Sequence, residues 1–156
     1  MYKKYANTML TERITDDMKA AMKAGNAARV GVLRMLLAAI KNQEIEARTK
    51  GKEALAEEDV LRVLEREAKK RREAAELYEK GGRGDLAAQE KAEAGLIAQY
   101  LPSQASDEEI VAVIARLKSG GANDFGTLMK GAMQELRGKA DGARVGAAVK
   151  KALGNE

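Results

Sequence analysis

The stretch YLPSQASDEE, residues 100–109, decides the predicted organisation of this chain of 156 residues. It contains the only proline of the sequence, Pro102, directly after a helical pattern. Proline disfavours helical backbone in the residue before it, so this helix is predicted to end at Leu101. Ser106 and Glu109 have the spacing of a capping box, which marks the start of a new helix. We therefore predict that one helical domain ends at residue 102 and that a second begins at residue 103.

The residues before this stretch predict about four helices. The composition is rich in strong helix formers and lacks long alternating β-branched runs, which indicates an all-α protein. The predicted helices run from about residue 8 to Gly25, from Asn26 as N-cap toward Gly51, from about 57 to 79, and from the glycines at 81–84 to residue 101. The predicted inward-facing residues of the first helix are Leu10, Ile14, Met18 and Met22, and those of the third are Val60, Leu64, Ala68, Ala75 and Tyr78. Residues 9–102 thus form the predicted N-terminal helical bundle, and residues 1–8 a flexible extension.

The residues after the stretch predict three shorter helices. The first starts at the Ser106 cap and ends near Ser119, before two glycines. Asn123 or Asp124 is predicted to cap the second, and Asp141 the third. Residues 103–156 are therefore predicted to form a small three-helix domain.

The composition limits the chemistry that this chain can perform. It contains no His, Cys or Trp, which excludes imidazole bases, thiolate nucleophiles and the commonest zinc ligands. We predict no catalytic residue, cofactor or metal. The net charge of +4 favours polyanions modestly. Without a predicted membrane span or secretory signal, the expected location is the cytoplasm, with no membrane partner.

The segment Gly138–Gly142 is the predicted contact surface. Asp141 as an N-cap leaves early amides of the last helix open to an anion, and Gly142 allows close approach. Lys139 and Arg144 are positioned to add charge-assisted contacts to phosphates. The structural alternative is that Gly138 and Asp141 only end and start helices while Lys139 is solvated.

Two other groups of cations are predicted to have structural roles. Lys69 to Arg72 point around most of a helix and have glutamates within helical reach, which favours a paired surface over a nucleic-acid contact. Arg34 lies in an apolar stretch, so it either covers the core with its aliphatic stem or, as we predict in preference, pairs with Glu67, Glu90 or Glu93 on another helix.

Several short motifs occur in an order that resembles the GatB/YqeY family. The resemblance covers nearly everything from Met9 to Leu153, with departures at Ala105, Phe125 and Thr127. The motifs that carry it are Val32–Leu36, Glu67–Glu73, Gly82–Leu86, Tyr100–Gln104, Asp124–Met129 and Gly138–Gly142.

The resemblance implies a two-part helical fold that also forms the C-terminal tail of GatB, a subunit of the tRNA-dependent amidotransferase. In those larger proteins the tail resembles an accessory module that holds tRNA, while the chemistry belongs to other domains. We therefore expect a non-catalytic tRNA-binding module that reads backbone and shape, with no DNA expected. The alternatives are a module that docks on an aminoacyl-tRNA synthetase or amidotransferase subunit, and an amidotransferase with glutamine as amide donor. The predicted nucleic-acid contacts are Lys130, Arg137, Lys139, Gly142, Arg144, Lys150 and Lys151.

Overall fold

Seven α-helices make up the computed structural model, which describes residues 8–154 and contains no strand in that range. The all-α prediction is therefore confirmed, while the predicted extension 1–8 lies almost entirely outside the described residues. The helices are α1 (Met9–Lys23), α2 (Ala27–Thr49), α3 (Glu57–Lys80), α4 (Gly84–Ala98), α5 (Asp107–Ser119), α6 (Phe125–Glu135) and α7 (Gly142–Ala152).

The chain divides into two compact units between Leu101 and Pro102. The first unit contains α1 to α4, in which α3 and α4 pack most extensively and α1 packs on α2. Its core is aliphatic: Ile14, Leu36 and Leu64 have essentially no exposed surface. Complete burial of such a side chain contributes about 1.5–3 kcal/mol, so these contacts dominate the stability of the unit.

The second unit contains α5, α6 and α7 around a separate apolar core. Ile110, Leu128 and Val145 are buried at its centre, one from each helix. Met129 and Met133 of α6 also pack against this core. The unit therefore has enough burial of its own to be described as a separate packed body.

Side-chain caps start most of these helices as the sequence predicted. Asn26 accepts from the amide of Arg29 at 3.1 Å. Ser106 accepts from the Glu109 amide at 3.2 Å, and the Glu109 carboxylate accepts from the Ser106 amide at 2.8 Å, which completes the capping box. Asp124, rather than Asn123, caps α6. These caps satisfy amides that have no partner inside the helix.

Two predicted inward-facing residues are exposed instead. Met22 is 55% exposed and Tyr78 is 36% exposed. In α1 each step of four residues rotates the side chain by about 40°, so Met22 has left the face that Ile14 occupies, whereas Ala21 stays on it and is buried. Seven-residue spacing follows the buried face more closely than repeated four-residue spacing.

The predicted interhelical pair of Arg34 was wrong, because Arg71 of α3 takes that role. Arg34 is exposed. The Arg71 Nε atom lies 3.2 Å from a Glu93 carboxylate oxygen and Nη1 lies 3.8 Å from Glu90, both on α4, while Nη2 contacts the sulfur of Met35. Arg71 therefore links α3 to α4 beside α2.

Lys69 and Lys70, the neighbours of Arg71 in the basic run, form ion pairs within α3. Lys70 lies 2.8 Å from Glu67, and Lys69 lies 3.8 Å from Glu73. For these lysines the predicted paired surface is confirmed.

Tyr100, two residues after the end of α4, is held by a polar cluster that the sequence did not reveal. Tyr100 is buried, and its hydroxyl donates to Asp17 of α1 at 2.5 Å. Arg13 lies over the tyrosine ring, 5.0 Å from its centroid, and Arg29 lies 3.9 Å from Asp17. Burial and the Asp17 carboxylate raise the pKa of Tyr100 to about 12.

Candidate nucleic-acid interface

The predicted contact segment forms a tight connection between α6 and α7. The amides of Lys139 and Ala140 both donate to the Leu136 carbonyl, at 2.8 and 3.1 Å. Gly138 has a φ of 74°, a left-handed conformation that glycine adopts without steric cost. The segment is therefore a defined turn, and its conformation requires glycine at position 138.

This turn is tied to the residues that lead into α5. The amide of Ala105 donates to the Lys139 carbonyl at 2.7 Å, and the Gln104 side chain donates to the Gly138 carbonyl at 3.3 Å. Ala105 and Ala140 are both buried at this junction. The backbone on which Lys139 stands is consequently fixed by its contacts with residues 104 and 105.

Arg144 makes structural contacts at the same place. Its Nη2 atom donates to the Ala105 carbonyl at 3.0 Å and to an Asp107 carboxylate oxygen at 2.6 Å. The hydrogen bond to Asp107 raises the pKa of Arg144 further above its usual range, so the guanidinium stays charged. Arg144 was predicted to contact phosphate, whereas its bond to Asp107 was not predicted. The only sequence signal for Asp107 was its place in the acidic first turn of α5.

The start of α7 has the geometry that the sequence predicted. An Asp141 carboxylate oxygen accepts from the Arg144 amide at 2.9 Å, which confirms the cap. Gly142 is exposed, and a Cβ atom built there meets no atom within 4 Å. The amides of residues 142 and 143, in the first helical turn, have no acceptor inside the helix, which is the general geometry of an anion site at a helix start.

The predicted contact residues do not form one cluster. Lys139, Gly142 and Arg144 lie at the turn, while Lys150 and Lys151 lie in the last turn of α7, about 12 Å farther along the helix axis. Lys130 lies within α6, and Arg137 lies just beyond its end. The exposed cations of the set are Lys130, Arg137, Lys139, Lys150 and Lys151.

A further cation lies at the distal end of α7. Lys118 of α5 donates to the carbonyl of Ala152 at 2.7 Å. Basic side chains near the end of a helix satisfy its last carbonyls and complement its dipole. Lys118 therefore has a local structural role at this helix end, and Lys150 and Lys151 lie in the same last turn of α7.

Within residues 8–154 no group of three or more acidic side chains is arranged to hold a metal ion. In the same range, no helix has the length and apolar character that crossing a bilayer requires.

Comparison with known proteins gives a family match and several relatives. A sequence profile described as Yqey-like protein matches residues 11–153. "Altered inheritance of mitochondria protein 41, mitochondrial" of Eremothecium gossypii is 36% identical over 109 residues, which are 69% of this chain and 58% of that protein. The protein of the same description from Clavispora lusitaniae is 35% identical over 114 residues, 71% of this chain and 64% of the relative.

An uncharacterized protein of Schizosaccharomyces pombe is 31% identical over 99 residues, 64% of this chain and 74% of that protein. The matched part of the chain spans less than two thirds of the length of the relatives from Eremothecium gossypii and Clavispora lusitaniae.

Proposed function

Since the chain belongs to the Yqey-like protein family, we propose that it is a non-catalytic module that binds folded tRNA through the phosphate backbone. The observation that carries the proposal is the fixed turn before α7, which places exposed Lys139 beside the open helix start at Gly142. Amides at a helix start and a neighbouring ammonium group suit a phosphate. No part of this contact requires a base edge.

The charges of α6 and α7 support the same proposal. From residue 124 to 154 the six cations outnumber the three carboxylates, Asp124, Glu135 and Asp141. The two groups of cations at the ends of α7 are about 12 Å apart, which suits an extended polyanion better than a single small anion. Affinity is therefore expected to fall steeply with salt.

Recognition of backbone and shape fits the scarcity of aromatic residues. The whole sequence contains one Phe, four Tyr and no Trp. Proteins that bind unpaired bases commonly stack them on aromatic side chains. A folded RNA that offers phosphates and 2′-hydroxyls is therefore the better ligand for this surface, and binding is expected to be insensitive to the anticodon.

Arg144 fits this proposal in a second role. Both of its bonds to protein atoms use Nη2, whereas a guanidinium carries five N–H donors. The remaining donors allow Arg144 to contact a phosphate while it holds Ala105 and Asp107. The same side chain thus stabilises the turn and contributes to the positive field.

The experiment is a titration of the full chain with unmodified tRNA at low and at physiological salt. The test variant carries Lys130→Glu and Lys139→Glu. The matched control carries Lys19→Glu and Lys69→Glu, which change the net charge equally at exposed lysines of the first unit.

We expect the test variant to bind at least roughly tenfold more weakly and with a salt slope smaller by about 2, whereas the control retains most of its affinity. Absence of binding by the wild-type chain at low salt would refute the proposal. Equal losses in the two variants would also refute it, because they would show attraction by net charge alone.

The cellular setting remains a prediction. Two of the relatives carry a mitochondrial designation, and the cytoplasmic location was inferred from this sequence alone. We assign the chain to aminoacyl-tRNA metabolism without a catalytic step of its own. Glutamine-dependent amide formation on a misacylated tRNA by the purified chain would overturn the non-catalytic assignment.

A further inference from the structure

An apolar groove runs between α5 and α7 in the second unit. Its volume is about 720 Å³, and it extends along the two helices from Asp107 and Arg144, beside the Lys139 turn, to Lys118 and Ala152. Val111 on its α5 side is 55% exposed, the most exposed large aliphatic side chain of this unit. Its floor and walls are formed by Ile110, Val111, Ile114, Ala115, Ala147 and Ala148.

The two helices that form the groove are parallel. At one end Arg144, in the first turn of α7, is bonded to Asp107, the first residue of α5. At the other end Lys118, in the last turn of α5, is bonded to the carbonyl of Ala152. Asp107 and Lys118 are thus separated by about 16 Å along the groove, enough for a helix of about three turns.

The two ends of the groove carry opposite charges. The first turn of α5 is Asp107–Glu109, three consecutive carboxylates, and Arg144, which lines the same end, pairs with Asp107, so this end keeps a smaller net negative charge. The opposite end carries Lys118 and Lys151. A helix with an acidic first turn and a basic last turn fits this groove in the antiparallel direction, which also opposes the helix dipoles favourably.

Helix α5 itself meets this requirement. It begins with three carboxylates, ends with Arg116 and Lys118, and carries exposed Val111 between them. When two α5 helices are placed antiparallel about a two-fold axis, Asp107 of one copy lies opposite Lys118 of the other. The same operation brings position 111 of one copy opposite position 114 of the other, next to Ala115, so the surface is self-complementary.

We propose that the α5/α7 groove binds the α5 helix of a second copy of this chain and forms a two-fold symmetric dimer. Each α5 helix occupies the groove of the other copy, so the Val111 side chains of both copies are buried. The acidic first turn of each α5 then faces Lys118 and Lys151 of the second copy. Ridges of small side chains such as Ala115 and Ala148 allow the helices to approach closely.

The first test is the mass of RNA-free full-length chain, measured by sedimentation equilibrium over a wide range of concentration. The wild-type mass is expected to rise from 16.8 kDa toward twice that value. Val111→Glu places a charge in the centre of the interface and should hold the mass at that of the monomer. Phe125→Glu is the matched control, since it changes an exposed apolar residue of α6 outside the groove, and it should associate like the wild type.

The second test uses complementary charge reversals. Glu108→Lys is chosen because Asp107 holds Arg144, and it is combined with Lys151→Glu on separate chains. In each variant alone, like charges face each other across the two-fold axis, so association should weaken at least roughly tenfold. An equimolar mixture restores both pairs in a heterodimer and should associate within about threefold of the wild type.

A wild-type chain that stays monomeric at the highest concentration overturns the proposal. So does a Val111→Glu chain that still dimerises, or a mixture of the charge variants that associates no better than its components. A loss of tRNA binding by Val111→Glu without any change in mass would assign the groove to RNA and would likewise overturn it. Circular dichroism of every variant establishes that the helices remain folded.

Discussion

The hydroxyl of Tyr100 and the carboxylate of Asp17 are joined by a 2.5 Å hydrogen bond across 83 residues of sequence. The tyrosine follows the last helix of the first unit, and the aspartate lies on α1. The bond therefore holds the segment that follows α4 against α1, two residues before Pro102.

Replacement of Tyr100 by Phe removes this bond and leaves the ring in place. Because a hydrogen bond to a charged group contributes about 1.5–3 kcal/mol, we expect the free energy of unfolding to fall by roughly 1–2 kcal/mol. Urea denaturation of the full chain measures the loss. Tyr78→Phe is the control, since that ring is more than one third exposed, and it should leave stability nearly unchanged.

The raised pKa of Tyr100 predicts a dependence of stability on alkaline pH. The folded chain holds this proton more tightly than the unfolded chain, so the contribution is complete below pH 10.0 and is lost as the pH rises toward about 12. Tyrosinate absorbance in the native chain should show a late-titrating component. That component should be absent from Tyr100→Phe, and its persistence would contradict the assignment to Tyr100.

Ser106→Ala tests the capping box. It removes the acceptor of the Glu109 amide and should lower the stability of the second unit by about 1 kcal/mol. Thermal unfolding followed by circular dichroism measures the change. Ser103→Ala, three residues earlier in the exposed lead-in, should have little effect. Equal effects of the two substitutions would argue against the cap as the cause.

Gly142→Ala is expected to change the stability of α7 and the affinity for tRNA in opposite directions. The site is open and the residue occupies the first position of α7, so alanine should raise stability by up to about 0.5 kcal/mol. A methyl group beside the first amides should nevertheless weaken tRNA binding by about threefold if a phosphate sits there. Higher stability with unchanged tRNA affinity would remove Gly142 from the contact.

Asp107→Asn tests whether the ion pair of Arg144 competes with RNA. The substitution removes one negative charge next to Arg144 while keeping a side chain of the same shape. We expect tRNA affinity to rise by about twofold at low salt, because Arg144 then has no carboxylate neighbour in α5. A fall in affinity would show that the ion pair is needed to position the guanidinium.

The helix ends were predictable because their signals are local. Asn26, Ser106 and Asp141 act on amides three residues away, and the sequence shows both partners at once. The exposure of Met22 was also predictable from the sequence, because it follows from the helical repeat of about 3.6 residues per turn.

Partners on different helices were not predictable in the same way. Arg34 and Arg71 are both long cations near apolar positions, and only the packing of α3 on α4 selects Arg71 as the one beside Glu93. The pairs Tyr100–Asp17 and Arg144–Asp107 likewise join residues far apart in sequence. For the candidate interface, the sequence indicated the turn and its cations but not the carboxylate that holds one of them.

The bonds from residues 104 and 105 to the turn before α7 mean that the second unit starts earlier than its first helix. A truncated chain that begins at Ser106 would keep all three helices and lose the segment that closes the turn. The backbone at Lys139 would then be less well fixed. Weak tRNA binding by such a fragment would result from the missing segment and would not count against the proposed site. Fragments intended to carry the activity should therefore begin at Pro102.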